Sequence, residues 1–133
     1  MPSPGPTDVL VRVEMVAANP VDTFIRSGRY PTPTPFPFVV GRDLIGTIAA
    51  AGDGSHFSAG DRVWCNSLGH ECRQGSFAEY AVAPQERCYR MPPGVDPAVL
   101  VAIAHPAATA YLAWFVARPA PGRRDRVRRR CGR

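Results

Sequence analysis

Apolar residues fall on every second position from Asp8 to Ala17, with Val9, Val11, Val13 and Met15 on one face and Arg12 and Glu14 on the other. That period of two predicts a half-buried strand. The alternation stops at Asn19-Pro20-Val21-Asp22-Thr23-Phe24-Ile25-Arg26-Ser27-Gly28, which carries helix punctuation instead. Asn is a good cap, Pro is favoured at the first helical position, and Gly closes the last turn. A short helix of about two turns is predicted there. Prolines at 31, 33, 35 and 37 make the stretch from Tyr30 to Phe38 an extended loop.

Val39 to Ala51 predicts a strand bent at Gly46, where a missing Cβ allows close packing. Turns at Gly52-Asp53-Gly54 and Gly60-Asp61 lead into a strand at Arg62-Val63-Trp64-Cys65. Gly75 to Pro84 supplies another through Phe77, Tyr80 and Val82, and Cys88 to Met91 a last short one before Pro92-Pro93. An alanine-rich helical region begins at Asp96. Pro97 to Ala117 has no Asp, Glu, Arg or Lys, and its length alone permits a bilayer span. Its alanines, the pair His105-Pro106 and the hydroxyl of Thr109 favour two buried helices meeting near Pro106. Short strands divided by Gly/Pro turns and followed by helix predict a mainly β fold with appended helices (α+β), built on a partly open β-barrel.

Charge changes this picture only at one end. The formal +5 arises in Arg118 to Arg133, which holds eight arginines and one acid, a net of +7. Residues 1–117 hold eight arginines against ten carboxylates, a net of −2. Any argument from whole-chain charge to nucleic acid or membrane is therefore an argument about the tail. A binding module whose basic tail docks on nucleic acid is the alternative reading, but the tail has no aromatic to stack on bases, so a disordered peptide without a nucleic-acid partner is expected there. Cysteines 65, 72, 88 and 131 are irregularly spaced, and the start Met1-Pro2-Ser3-Pro4-Gly5-Pro6 shows no secretion signal. Free thiols in a reducing cytoplasm are the expectation.

The ordered set of strand, Asn-Pro-Val-Asp helix, Gly41-Arg42-Asp43-x-x-Gly46, Gly60-Asp61-Arg62-Val63, Gly75-x-x-Ala78-Glu79-Tyr80 and Thr109-Ala110-Tyr111 resembles the GroES-like catalytic domain of medium-chain dehydrogenases/reductases. Within that superfamily, Asn19 to Gly28 is most similar to the zinc-independent quinone oxidoreductase branch. The resemblance runs from about Val9 to Trp114. Zinc-dependent members place Cys where this chain has Asn19 and His where it has Arg42, and neither replacement is a competent zinc ligand. Gly69-His70-Glu71 looks like a zinc-branch motif but falls about 28 positions late. Cys65, His70 and Cys72 match no familiar metal spacing, and Cys88 is remote in sequence. No metal is expected.

The resemblance implies hydride transfer from NAD(P)H, with NADPH as the expected cofactor of the intact family, to a quinone or enone. It places Asn19 beside the nicotinamide, Phe24 in the substrate cleft where close relatives carry Tyr, and Thr109 near the nicotinamide carboxamide. Read from the residues alone, Asn19 is a helix cap and Thr109 a hydroxyl bonded to the preceding turn.

The cofactor domain of such enzymes would begin just after Trp114 with a strand and a Gly-rich turn. Residues 119–133 give an arginine run there instead. With each Arg written as CGN, a one-nucleotide shift from Gly122 permits an apolar strand entering a glycine turn, so the tail reads as out of frame. Relatives also have a hairpin before a loop like Pro4-Gly5-Pro6, so the barrel is expected to be incomplete at its N-terminus. The expectation is an enzyme fragment of residues 1–117 that binds no cofactor stably and turns nothing over.

Overall fold

The computed structural model describes residues 1–116. The arginine-rich segment 118–133, read above as out of frame and disordered, lies outside the described residues. Five antiparallel strands form one sheet: β1 (Asp8–Ala17), β2 (Asp43–Ala51), β3 (Arg62–Cys65), β4 (Tyr80–Pro84) and β5 (Cys88–Arg90). Their spatial order is β4-β1-β2-β3-β5, and β4 and β5 are the two edges, so the sheet curls without closing. Helix α1 (Pro20–Arg26) follows β1, and helix α2 (Pro97–Val116) follows β5.

β1 and β2 form the long central pair, from Val9 opposite Ala51 to Ala17 opposite Asp43, with irregularities at Leu10/Val11 and Val13/Met15. Those irregularities shift which side chains turn inward. Val9, Leu10 and Val11 are all buried while Met15 is exposed, so strict alternation holds only in part. Gly46 sits opposite Val13, and a Cβ there would lie 2.2 Å from the Arg12 carbonyl oxygen. The bend expected at this glycine is a close backbone crossing. One core gathers Val9, Val11, Leu44, Ile48, Val63 and Ala83 with the thiols of Cys65 and Cys88.

Three expectations are corrected. Residues 39–42 are not strand: Val39 N–H donates to Gln74 Oε1 at 2.6 Å, and the Val39 and Val40 carbonyls accept from Gly75 and Phe77. The carbonyls of 39–42 are spent on the 74–77 loop and on Leu68, so they are not free for a strand ladder. Likewise 75–79 is loop, and β4 starts only at Tyr80. Third, α2 is a single helix of 20 residues with Pro106 inside it, and only Val101 and Ala104 are buried. A proline removes one hydrogen bond from the helical ladder, and here the chain continues through that gap. Among the described residues this is the one helix long and apolar enough to cross a membrane.

Candidate functional site

Four pieces of chain meet at the start of β2. Asn19 stands at the N-cap of α1 in extended backbone (φ −107°, ψ 157°), and its main-chain N–H donates to Asp22 Oδ2 at 2.7 Å. Pro20 then occupies the first helical position, so the sequence fixes where α1 begins. The Asn19 side chain turns to β2, where Nδ2 donates to Asp43 Oδ2 at 2.6 Å and approaches the Ala17 carbonyl at 3.4 Å. Asp43 is fully buried. Its other oxygen accepts the Ser67 N–H at 3.3 Å and faces His105 Nδ1 of α2 at 3.4 Å. Ser76 Oγ closes the arrangement on the Asp43 carbonyl at 2.9 Å.

Burial raises the pKa of Asp43, against the opposing pull of His105, Ser67 and Asn19. Burial also raises that of Asp22, opposed by the Asn19 N–H, Arg42 and His105. Asp22 Oδ1 and Arg42 Nε are buried without a hydrogen-bond partner among the described residues. A charged group removed from water loses its hydration, and each partner recovers only part of that loss.

A cavity of about 480 Å³ opens between α1 and α2, walled by Asn19, Val21, His105, Pro106, Thr109 and Ala113. Its lining is mostly apolar, with Asn19, His105 and Thr109 supplying the polar atoms, which suits an apolar ligand bearing a few polar groups. The structure thus brings Asn19 and Thr109 to one cavity. Phe24 is half-exposed on α1 and does not line it. Thr109 is exposed on the cavity wall, and among the described residues its hydroxyl makes no bond to the preceding turn. Asp43 and His105 were not singled out from sequence. Asp43 was visible only as a letter of the Gly-Arg-Asp motif, and His105 only as an interruption in an apolar run.

His70 and the cysteines take other places. His70 Nδ1 approaches Glu71 Oε2 at 3.6 Å, and burial lowers its pKa, aided by Arg87. Cys72 is exposed. Cys65 turns away from both toward Cys88, which pairing of β3 with β5 brings to 3.3 Å. Sequence distance had hidden that neighbour. A second cleft, of about 520 Å³, lies beside β4, and its one charged side chain, Arg73, is held by Asp8 at 3.1 Å.

Residues 5–93 match the alcohol dehydrogenase GroES-like domain. The chain is 40% identical over 114 residues to the quinone oxidoreductase of Homo sapiens, covering 85% of this chain and 33% of that one. It is 44% identical over 96 residues to a trans-enoyl reductase of Fusarium mangiferae, covering 71% of this chain and 24% of that one. A mycobacterial structure complexed with NADPH superposes with a TM-score of 0.76 at 33% identity, over 90% of this chain and 34% of that one. The chain spans about a third of the length of such relatives or less.

Proposed function

The chain belongs to the family of alcohol dehydrogenase GroES-like domains, and from that premise we propose that it is the substrate-side domain of a zinc-independent oxidoreductase acting on quinones or enones with NADPH. The observation that carries the reading is the cavity between α1 and α2, where Asn19, His105 and Thr109 surround an apolar slot. Its volume of about 480 Å³ is enough to admit a ring such as a nicotinamide or a quinone. Among the described residues no strand, glycine turn and helix stand in sequence to grip a pyrophosphate. NADPH, when bound, supplies the hydride.

The rest of the chemistry falls to the chain. Val21, Pro106 and Ala113 exclude water from the slot and orient the ring. Reduction of a carbonyl or enone leaves negative charge on oxygen, which needs donors. Both amide hydrogens of Asn19 are directed at Asp43 and Ala17. Thr109 Oγ1 and the imidazole of His105 are the donors that remain on the wall. Asp43 faces His105 Nδ1, so Nε2 is the ring nitrogen left for the oxyanion, and it has a proton to give only in the imidazolium form. His105 is therefore the group we assign to protonate the oxyanion.

The zinc-free reading is supported by the donor chemistry. The positions of Asn19 and Arg42 offer an amide and a guanidinium, and the described residues contain no cluster of three His, Cys, Asp or Glu side chains. By itself the 133-residue chain is expected to be inactive, to reside in the cytoplasm, and to have small molecules as its partners. The test is a titration with 9,10-phenanthrenequinone followed by NMR. Shifts confined to Asn19, His105, Thr109 and their neighbours are expected, with no NADPH consumption above a boiled control. Shifts elsewhere would overturn the site, and hydride consumption the inactivity. Stoichiometric Zn²⁺ retained through chelator dialysis would overturn the zinc-free assignment.

A further inference from the structure

We propose that Cys65 and Cys88 close into a reversible disulfide that clamps the edge strand β5 to β3. The two residues are directly opposed in the ladder. Met91 N–H donates to the Arg62 carbonyl at 3.0 Å and Asn66 N–H to the Arg87 carbonyl at 3.4 Å. Bonded and non-bonded pairs alternate along an antiparallel ladder. Trp64 and Tyr89 are thus a bonded pair, and Cys65 and Cys88 a non-bonded one. Such pairs bring Cα atoms to about 4.5 Å, inside the roughly 4.4–6.8 Å that a disulfide spans. The sulfurs already lie 3.3 Å apart, and neither side chain faces solvent. Closure needs only a short approach of two side chains that face each other.

The step balances with an external disulfide, oxidised glutathione, as the acceptor. One thiol loses its proton and attacks a glutathione sulfur, releasing one reduced glutathione and forming a mixed disulfide. The second thiolate attacks the protein sulfur of that adduct and expels the other glutathione. The protein gives up two electrons and two protons, and two thiols leave. The hydrogen bond with the Cys88 thiol, together with burial, raises the Cys65 thiol's pKa and keeps it protonated, so reaction waits for the edge to open. That edge is slight: β5 has three residues, Tyr89 is half-exposed, and among the described residues no strand lies beyond it. Opening of so short an element is a low-lying fluctuation.

The clamp also reaches the candidate site. Arg87, adjacent to Cys88, donates to the Ser67 carbonyl at 3.1 Å, and the Ser67 N–H is one of the donors on Asp43. Tying Cys65 to Cys88 fixes both ends of that connection.

The experiment uses the full chain carrying Cys72→Ser and Cys131→Ser, incubated with oxidised glutathione. Intact mass should fall by two hydrogens, a proteolytic digest should yield a peptide joining 65 to 88, and dithiothreitol should reverse both. The oxidised chain should unfold at higher urea than the reduced one, because a loop spanning 23 positions is closed in the unfolded state. Quantitative alkylation of both thiols after prolonged exposure to oxidant would overturn the proposal. So would the same mass loss in Cys88→Ser. The mass readout does not depend on whether either serine variant folds.

Discussion

The amide of Asn19 and the carboxylate of Asp43 meet at 2.6 Å, and that bond ties the first turn of α1 to the first residue of β2. It is buried at both ends. Asp43→Ala removes the acceptor of Asn19 and Ser67 together. It is expected to cost at least about 3 kcal/mol, since two hydrogen bonds to a charged group are lost at about 1.5–3 each and two donors are orphaned. Asp43→Asn keeps one acceptor oxygen but turns an NH2 toward the other donor, so it should cost less than Asp43→Ala without being neutral. Urea unfolding of the two variants compares them directly, and equal losses would contradict this account.

The acid response has a fixed sign. Asp22 and Asp43 hold their protons more tightly folded than unfolded, because burial raises them from the ordinary value near 3.8. Their contribution to stability is complete below that value and is lost as pH climbs through the raised pKa values. Glu14 acts oppositely. Its bond from Thr47 and its pairing with Arg62 lower it, so its contribution is lost as pH falls. Asp22→Asn should therefore flatten the decline between acid and neutral pH while leaving the acid-side loss intact. Unfolding free energies measured in steps from about pH 3.5 to 7 decide the matter.

Gly46→Ala and Gly60→Ala separate two uses of glycine. At 46 the new Cβ meets Arg12 carbonyl oxygen at 2.2 Å and Val11 Cγ1 at 2.6 Å, so β1 and β2 must move apart. A cost of about 3 kcal/mol is expected, the upper end for overpacking. Gly60 has φ +93° but nothing within 4 Å. Only backbone strain remains, about 1 kcal/mol. Thermal denaturation should rank the two variants in that order.

Pro106→Ala should lengthen the uninterrupted ladder of α2. An interior proline costs about 3 kcal/mol or more in a helix, and α2 has only two buried side chains to offset it. Helical circular dichroism should rise and melt later. The β-sheet transition should be unchanged, because the restored hydrogen bond lies wholly within the helix.

Local signals in the sequence served well where the structure is local. Asp8–Ala17 and Arg62–Cys65 follow from their apolar pattern and turns, and α1 from its Asn-Pro start. What escaped the sequence depends on partners far along the chain. Val39 and Val40 have strand-forming side chains, yet their backbones are claimed by residues 74–77. Cys88 became a neighbour of Cys65 only through the β3–β5 register. His105 gained meaning from Asp43, 62 positions earlier, because α2 crosses the start of β2. Even α2 misled: a proline reads as a boundary, but an exposed helix tolerates one missing rung.

The buried side chains of α2, Val101 and Ala104, and its His105–Asp43 contact all lie in the first half of the helix, so a tilt would displace its second half most. Thr109 is five residues beyond Ala104, roughly 7.5 Å along the axis at 1.5 Å per residue. A swing of about 10° would carry it through about 1.3 Å. Because Thr109 and Ala113 line the cavity beside Asn19, such a tilt would change its width.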